Sequence, residues 1–109
     1  FIEVGISYSS SIDKAMLIIR EEAMKHPEFL DNRTEDEKKQ NLPAVTVRLI
    51  ALGEYAVQLR GYVWAKDPSA GFVLKCDLLK SIKERFEKEG VEIPFPHHVV
   101  MMKNKYEQA

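Results

Sequence analysis

The residues best suited to chemistry in this chain are few and scattered: Cys76, the adjacent pair His97 and His98, and an arginine with two aromatics at Arg60, Tyr62 and Trp64. Cys76 is the single cysteine, so no internal disulfide can form, and its expected role is that of a small apolar side chain in the core. His97 and His98 are neighbours, and neighbours on a strand point to opposite faces, so the pair cannot chelate one ion within a chain. They are expected to be exposed polar residues after a proline turn; a site shared between subunits, using one of the two, is the alternative. The sequence has no glycine-rich phosphate loop, no cysteine pair at metal spacing and no nucleophile elbow. No catalytic residue, cofactor or metal is therefore assigned, and the expectation is a protein that is not an enzyme.

Arg60, Tyr62 and Trp64 recur at a period of two, opposite Val57, Leu59 and Val63, which places them on the face of a strand turned away from the core. Two chemistries suit such a face. One is stacking of nucleic-acid bases, as in RNA-recognition modules. The other is burial against a neighbouring subunit, since a large indole on an open sheet is costly unless covered. The charge favours the second: 16 Lys and Arg against 17 Asp and Glu leave no basic excess for a polyanion, and YVWAK lacks the spacing of an RNA-binding strand. No nucleic-acid partner is expected.

The elements that must position this face follow from periodicity. Val4, Ile6 and Tyr8 alternate as a first strand, and Ser10 is a candidate cap for a helix over about residues 11 to 26. Residues 28 to 43, rich in DNRTEDEKKQN, carry no apolar period and read as a solvated loop. Val45, Val47 and Leu49 then mark the inward face of a second strand, Gly53 a turn, and Val57, Leu59 and Val63 a third strand. Asp67 followed by Pro68 starts a second helix, whose core face is expected to be Phe72, Cys76, Leu79, Ile82 and Phe86, with Glu84 and Lys88 paired on its exposed side. Gly90 stops that helix, and Val91 to Ile93 resume at a period of two as a fourth strand ended by Pro94 and Pro96. The order is that of an α+β, ferredoxin-like β-α-β-β-α-β sandwich, an antiparallel sheet with both helices on one face.

With 109 residues and 45% hydrophobic content, the chain is expected to hold one domain, residues 1–96, followed by a C-terminal extension over 97–109. Ile93 to Met102, the longest uncharged run, is shorter than the roughly 20 residues a membrane helix needs. The chain starts at Phe1 inside an apolar alternation, without a methionine or a signal-peptide pattern, and so reads as a piece of a larger protein. Val99, Val100, Met101 and Met102 are left over from the domain and need cover from elsewhere.

Three segments carry a family resemblance: VGISYSSSIDKA (Val4 to Ala15), VTVRLIALGEYAVQLRGYVWAK (Val45 to Lys66) and RFEKEGVEIPFP (Arg85 to Pro96). In this order they resemble the strand-to-helix entry, the central hairpin and the proline-aromatic-proline exit of the C-terminal cytoplasmic domain of the small-conductance mechanosensitive channel (MscS) family. The charged connection over 28–43 is longer than the family's usual crossing. The resemblance implies a vestibule domain of a channel that opens under membrane tension and releases ions and small solutes on hypoosmotic shock. It implies a homo-oligomer, heptameric in the full-length channel, in the bacterial inner membrane with this domain on the cytoplasmic side. The membrane would be met only through an N-terminal part outside this chain. The subunit contacts so implied are Tyr62 and Trp64 on the open face, Pro94, Phe95 and Pro96 at the exit, and Val99, Val100, Met101 and Met102 as a strand of a closing barrel. The alternatives are a ferredoxin-like ligand-binding regulatory domain and an RNA-binding module.

Overall fold

The computed structural model describes residues 1–94. Its elements run β1 (Ile2–Ile6), α1 (Ile12–Lys25), α2 (Glu35–Lys39), β2 (Thr46–Leu52), β3 (Val57–Tyr62) and α3 (Pro68–Glu89). The strands form one antiparallel sheet in the order β1-β3-β2, and the α+β class is the expected one. Ile2, Ile6, Val47, Val57 and Leu59 from the sheet meet Ala15, Ile18, Ile19 and Ala23 of α1 and Leu74, Leu78, Ile82 and Phe86 of α3 in one continuous core. Gly61 belongs to this contact: a Cβ there would lie 3.0 Å from Cγ2 of Ile19, so its lack of a side chain lets α1 approach β3.

Helix boundaries follow local chemistry. Asp67 caps α3 by accepting from the Ala70 N–H at 2.8 Å with Pro68 next, and Gly90 closes it in the left-handed conformation (φ 81°), both as the sequence indicates. The cap of α1 is Ser11 rather than Ser10: Ser11 Oγ accepts from the Lys14 N–H at 3.2 Å. Ser10 is engaged elsewhere. Its Oγ lies 2.8 Å from Ser7 Oγ and accepts from the Glu92 N–H at 2.9 Å.

Four further expectations are corrected. First, the core face of α3 is Ala70, Leu74, Leu78, Ile82 and Phe86, so Phe72 is 71% exposed and Cys76 is exposed, not a core thiol. The stripe through Phe72, Cys76 and Leu79 reaches Lys83 and Glu87 within two more turns, whereas the stripe from Ala70 to Phe86 stays apolar for the whole helix and wins the core. Second, Glu84 pairs with Lys80 on the exposed side rather than with Lys88. Third, the segment 28–43 is not a bare loop: Thr34 and Glu37 form a reciprocal capping box that starts α2, and Arg33 is forked onto Asp31 at 2.7 and 3.0 Å while also donating to the Leu42 carbonyl at 2.9 Å. Fourth, Val91 to Ile93 form no strand. Val91 is buried, but the contact with β1 reduces to one backbone bond, from the Ser7 N–H to the Glu92 carbonyl at 2.8 Å. Pro94, which lacks an N–H, cannot extend that pairing as a donor.

Val45, just before β2, and Val47 within it are buried as expected, but Leu49 is 39% exposed. An irregularity between Leu49 and Ala51 leaves Ile50 without a register partner and turns the end of the strand outward.

Candidate subunit interface

The sheet face away from the helices is built by cross-strand register. Glu3 of β1 lies opposite Arg60 of β3, which lies opposite Arg48 of β2, so one carboxylate and two guanidinium groups share a row. Arg60 Nε donates to Glu3 Oε1 at 2.8 Å, and its Nη2 bonds the same oxygen. Its Nη1 is 3.5 Å from the Tyr62 hydroxyl, and its Cζ stands 4.3 Å from the centre of the Phe1 ring. Phe1 and Tyr62 are tilted by 53° with centroids 6.3 Å apart. The hydrogen bonds with Tyr62 and with Glu3 raise the Arg60 pKa further above its ordinary value, so this cation is permanent.

Tyr62 therefore belongs to a compact cation-aromatic cluster with Arg60, as its period-two spacing indicates. Trp64 does not join it in the described contacts. It lies beyond the end of β3, 54% exposed, and its carbonyl accepts from the Leu30 N–H at 2.9 Å. It lines a cavity of about 190 Å³ with Asn32, Arg33, Glu37 and Ala44, at the edge of the 28–43 connection. Pro94 is half-buried at the end of the described chain. Phe95, Pro96, His97, His98 and Val99 to Met102 lie outside the described residues.

Periodicity alone did not single out Phe1, Glu3 and Arg48 as part of this face. The signal was present in part, since Glu3 alternates with the apolar Ile2 and Val4, but its partner depends on the pairing of β1 with β3. The outward apolar set on α3, Phe72, Val73 and Leu79, was also missed, having been assigned in part to the core. A wider depression of about 690 Å³ lies at the end of α3, lined by Phe86, Val91 and Ile93 and rimmed by Lys83 and Glu87. Among the described residues no group of three or more His, Cys, Asp and Glu could hold a metal ion, and no helix is long and apolar enough to cross a membrane.

The described chain is thus a single antiparallel sheet backed by two helices, with a charged and aromatic open face. Residues 2–93 match the family described as mechanosensitive ion channel MscS, C-terminal, and the chain belongs to that family. It is 35% identical over 102 residues to a protein of Archaeoglobus fulgidus named as an uncharacterized MscS family protein, covering 94% of this chain and 32% of that relative. It is 27% identical over 104 residues to the small-conductance mechanosensitive channel MscMJ of Methanocaldococcus jannaschii, covering 91% of this chain and 26% of the relative. The chain thus spans about a third and a quarter of the lengths of these relatives.

Proposed function

We propose that this domain forms part of the cytoplasmic vestibule of an MscS-type mechanosensitive channel, with residues 1–96 as a wall unit and 97–109 as an extension that joins subunits below it. The observation that carries this reading is the family match over residues 2–93, which takes in every described element. The open face supports it: Arg60 and Tyr62 are half-buried there, the Arg60 charge is met by Glu3 and Phe1 adds an apolar ring, as suits a contact with another subunit.

On this reading the domain carries no chemistry of its own. Its work is assembly and the filtering of ions and small solutes on their way to a pore in another part of the polypeptide. The full-length protein is a homo-oligomer, a heptamer on the family pattern, in a cell membrane with this domain on the cytoplasmic side; both named relatives are archaeal, so the membrane is not confined to bacteria. Tyr62, Trp64 and Pro94 contribute subunit contacts, together with Phe95, Pro96, Val99, Val100, Met101 and Met102 from the extension. The test is expression of the full-length polypeptide in cells lacking their own tension-gated channels. Survival of hypoosmotic shock, with loss of survival when residues 97–109 are deleted from a membrane-inserted protein, is the expected result. Absence of tension-gated current in excised patches of the intact protein would overturn the reading.

A further inference from the structure

Both edges of the sheet are open among the described residues: β2 pairs only with β3, and β1, apart from the Ser7 to Glu92 bond just past its end, also pairs only with β3. An unpaired strand edge presents a row of N–H and C=O groups whose complement is another extended backbone. Natural edges are usually guarded by lysine, proline, short length or a bulge, and the irregularity between Leu49 and Ala51 guards only the far end of β2. Here β2 is seven residues long without lysine, proline or glycine, and Leu49, Ile50 and Leu52 are exposed along it at 39%, 39% and 70%. Its one charge, Arg48, is exposed, has no acidic partner among the described residues, and lies in register with the like-charged Arg60. At the opposite edge Glu3 is exposed on the same sheet face.

We infer that the β2 edge of one copy pairs with the β1 edge of the next, head to tail, so that Arg48 of one copy lies beside Glu3 of its neighbour. This rests on the reading that the domain assembles with copies of itself, and it names the surface that does so. β1 and β2 both run antiparallel to β3 and hence run the same way, so a neighbour related by rotation about an axis along the strands docks in parallel. Setting Arg48 beside Glu3 then sets Val47 beside Ile2 and Leu49 beside Val4, which keeps apolar side chains on the core face and charges on the open face. Glu3 is flanked by two guanidinium groups, and the exposed part of Leu49 is covered. The Ser7 to Glu92 bond closes the β1 edge at one end, and the irregularity between Leu49 and Ala51 interrupts the β2 edge, so regular pairing is confined to Ile2–Val4 against Val47–Leu49. Because the two edges differ, the contact is heterologous and propagates into a ring rather than stopping at a dimer.

The test is oxidative cross-linking of the full-length protein in membranes, with Glu3→Cys and Arg48→Cys together in a Cys76→Ser background. Within one copy these positions are separated by β3, about two strand spacings or roughly 9.5 Å, beyond the reach of a disulfide. The expected result is a ladder of covalent oligomers for the double variant and none for either single variant. Arg48→Glu in the unmodified protein is expected to raise the concentration at which the detergent-solubilised oligomer dissociates by tenfold or more. Absence of a ladder while native mass spectrometry reports an intact oligomer overturns the edge pairing and leaves self-assembly standing. Absence of both overturns the assembly reading as well. Dimers from either single variant would mean a symmetric contact, which also overturns this proposal.

Discussion

Arg85 on α3 joins Glu22 on α1 across the two helices: its Nη1 donates to Glu22 Oε2 at 3.2 Å, its Nη2 donates to Glu21 Oε1 at 2.6 Å, and its Nε bonds Glu89 on its own helix. The Glu22 side chain is only 4% exposed. Burial pushes its carboxyl up, but hydrogen bonds from Lys25 and Arg85 outweigh that and hold it below the usual carboxylate value. A carboxyl whose folded pKa is depressed stabilises the fold above its unfolded pKa, and that contribution is lost as pH falls through the folded value. Arg85→Met is therefore expected to destabilise the domain by about 1–3 kcal/mol at neutral pH, the usual cost of leaving a buried polar group short of a partner. It should also move acid unfolding to higher pH. Denaturant titrations from pH 3 to 7 check both; a variant with an unchanged acid limb would show that Lys25 alone holds the Glu22 charge.

Gly61 makes a sharper prediction about packing. An added methyl would meet Ile19 Cγ2 at 3.0 Å, and Ile19 is fully buried in the core with little room to withdraw. Gly61→Ala is expected to cost about 1–3 kcal/mol, measured by the urea midpoint. The double variant Gly61→Ala with Ile19→Leu, which lacks the γ2 methyl, should cost less than the sum of the two single changes if the clash is the cause.

How much of this was legible in the sequence depended on the range over which each feature is decided. The start of α3 at Asp67 and Pro68 and its stop at Gly90 are set by neighbouring residues and could be read directly. The core face of the same helix could not, because Phe72, Cys76 and Leu79 compete locally with Leu74 and Leu78, and only continuation to Ile82 and Phe86 decides between them. The capping box at Thr34 and Glu37 was written in the sequence but obscured by the charged composition around it. On the sheet, period two correctly placed Arg60 and Tyr62 together, whereas Glu3 and Arg48 join their row only through pairing between distant strands.

The connection over 28–43 should behave as an ordered segment. The Arg33 guanidinium beside Asp31, aided by the Arg33 backbone N–H, holds the Asp31 carboxyl down at about 2. The depressed value means the clamp is fully formed above the usual aspartate range and opens only as pH approaches 2. Arg33→Ala is expected to speed tryptic cleavage after Lys38 and Lys39 severalfold at pH 8, with the circular dichroism of the rest of the domain unchanged. Equal cleavage rates in the two proteins would show that the capping box holds the segment without the clamp.

Cys76 is exposed, so its thiol should react with a maleimide or an aromatic disulfide in the native state at a rate close to that of the unfolded chain. Cys76→Ala should change stability by no more than about 0.5 kcal/mol, as for an ordinary surface substitution. Protection of the thiol in the full-length oligomer but not in the isolated domain would place the Phe72, Cys76 and Leu79 face of α3 in a contact.

The two aromatics near the end of β3 separate a subunit contact from RNA binding. If Tyr62 and Trp64 stacked bases, replacing both with alanine would abolish RNA affinity, since each stacked base contributes about 1–3 kcal/mol. The geometry argues for a different outcome: Tyr62 is turned to Arg60 and Phe1, the Arg60 charge is already met by Glu3, and Trp64 stands apart beside the 28–43 connection. Among the described residues no ring contact joins the two. The wild-type domain is therefore expected to show no saturable binding to single-stranded RNA at moderate salt. Tyr62→Ala with Trp64→Ala in the full-length protein should weaken the oligomer in native mass spectrometry and reduce survival of osmotic downshock. Tight RNA binding lost in the double variant, with the oligomer unaffected, would assign this face to nucleic acid instead.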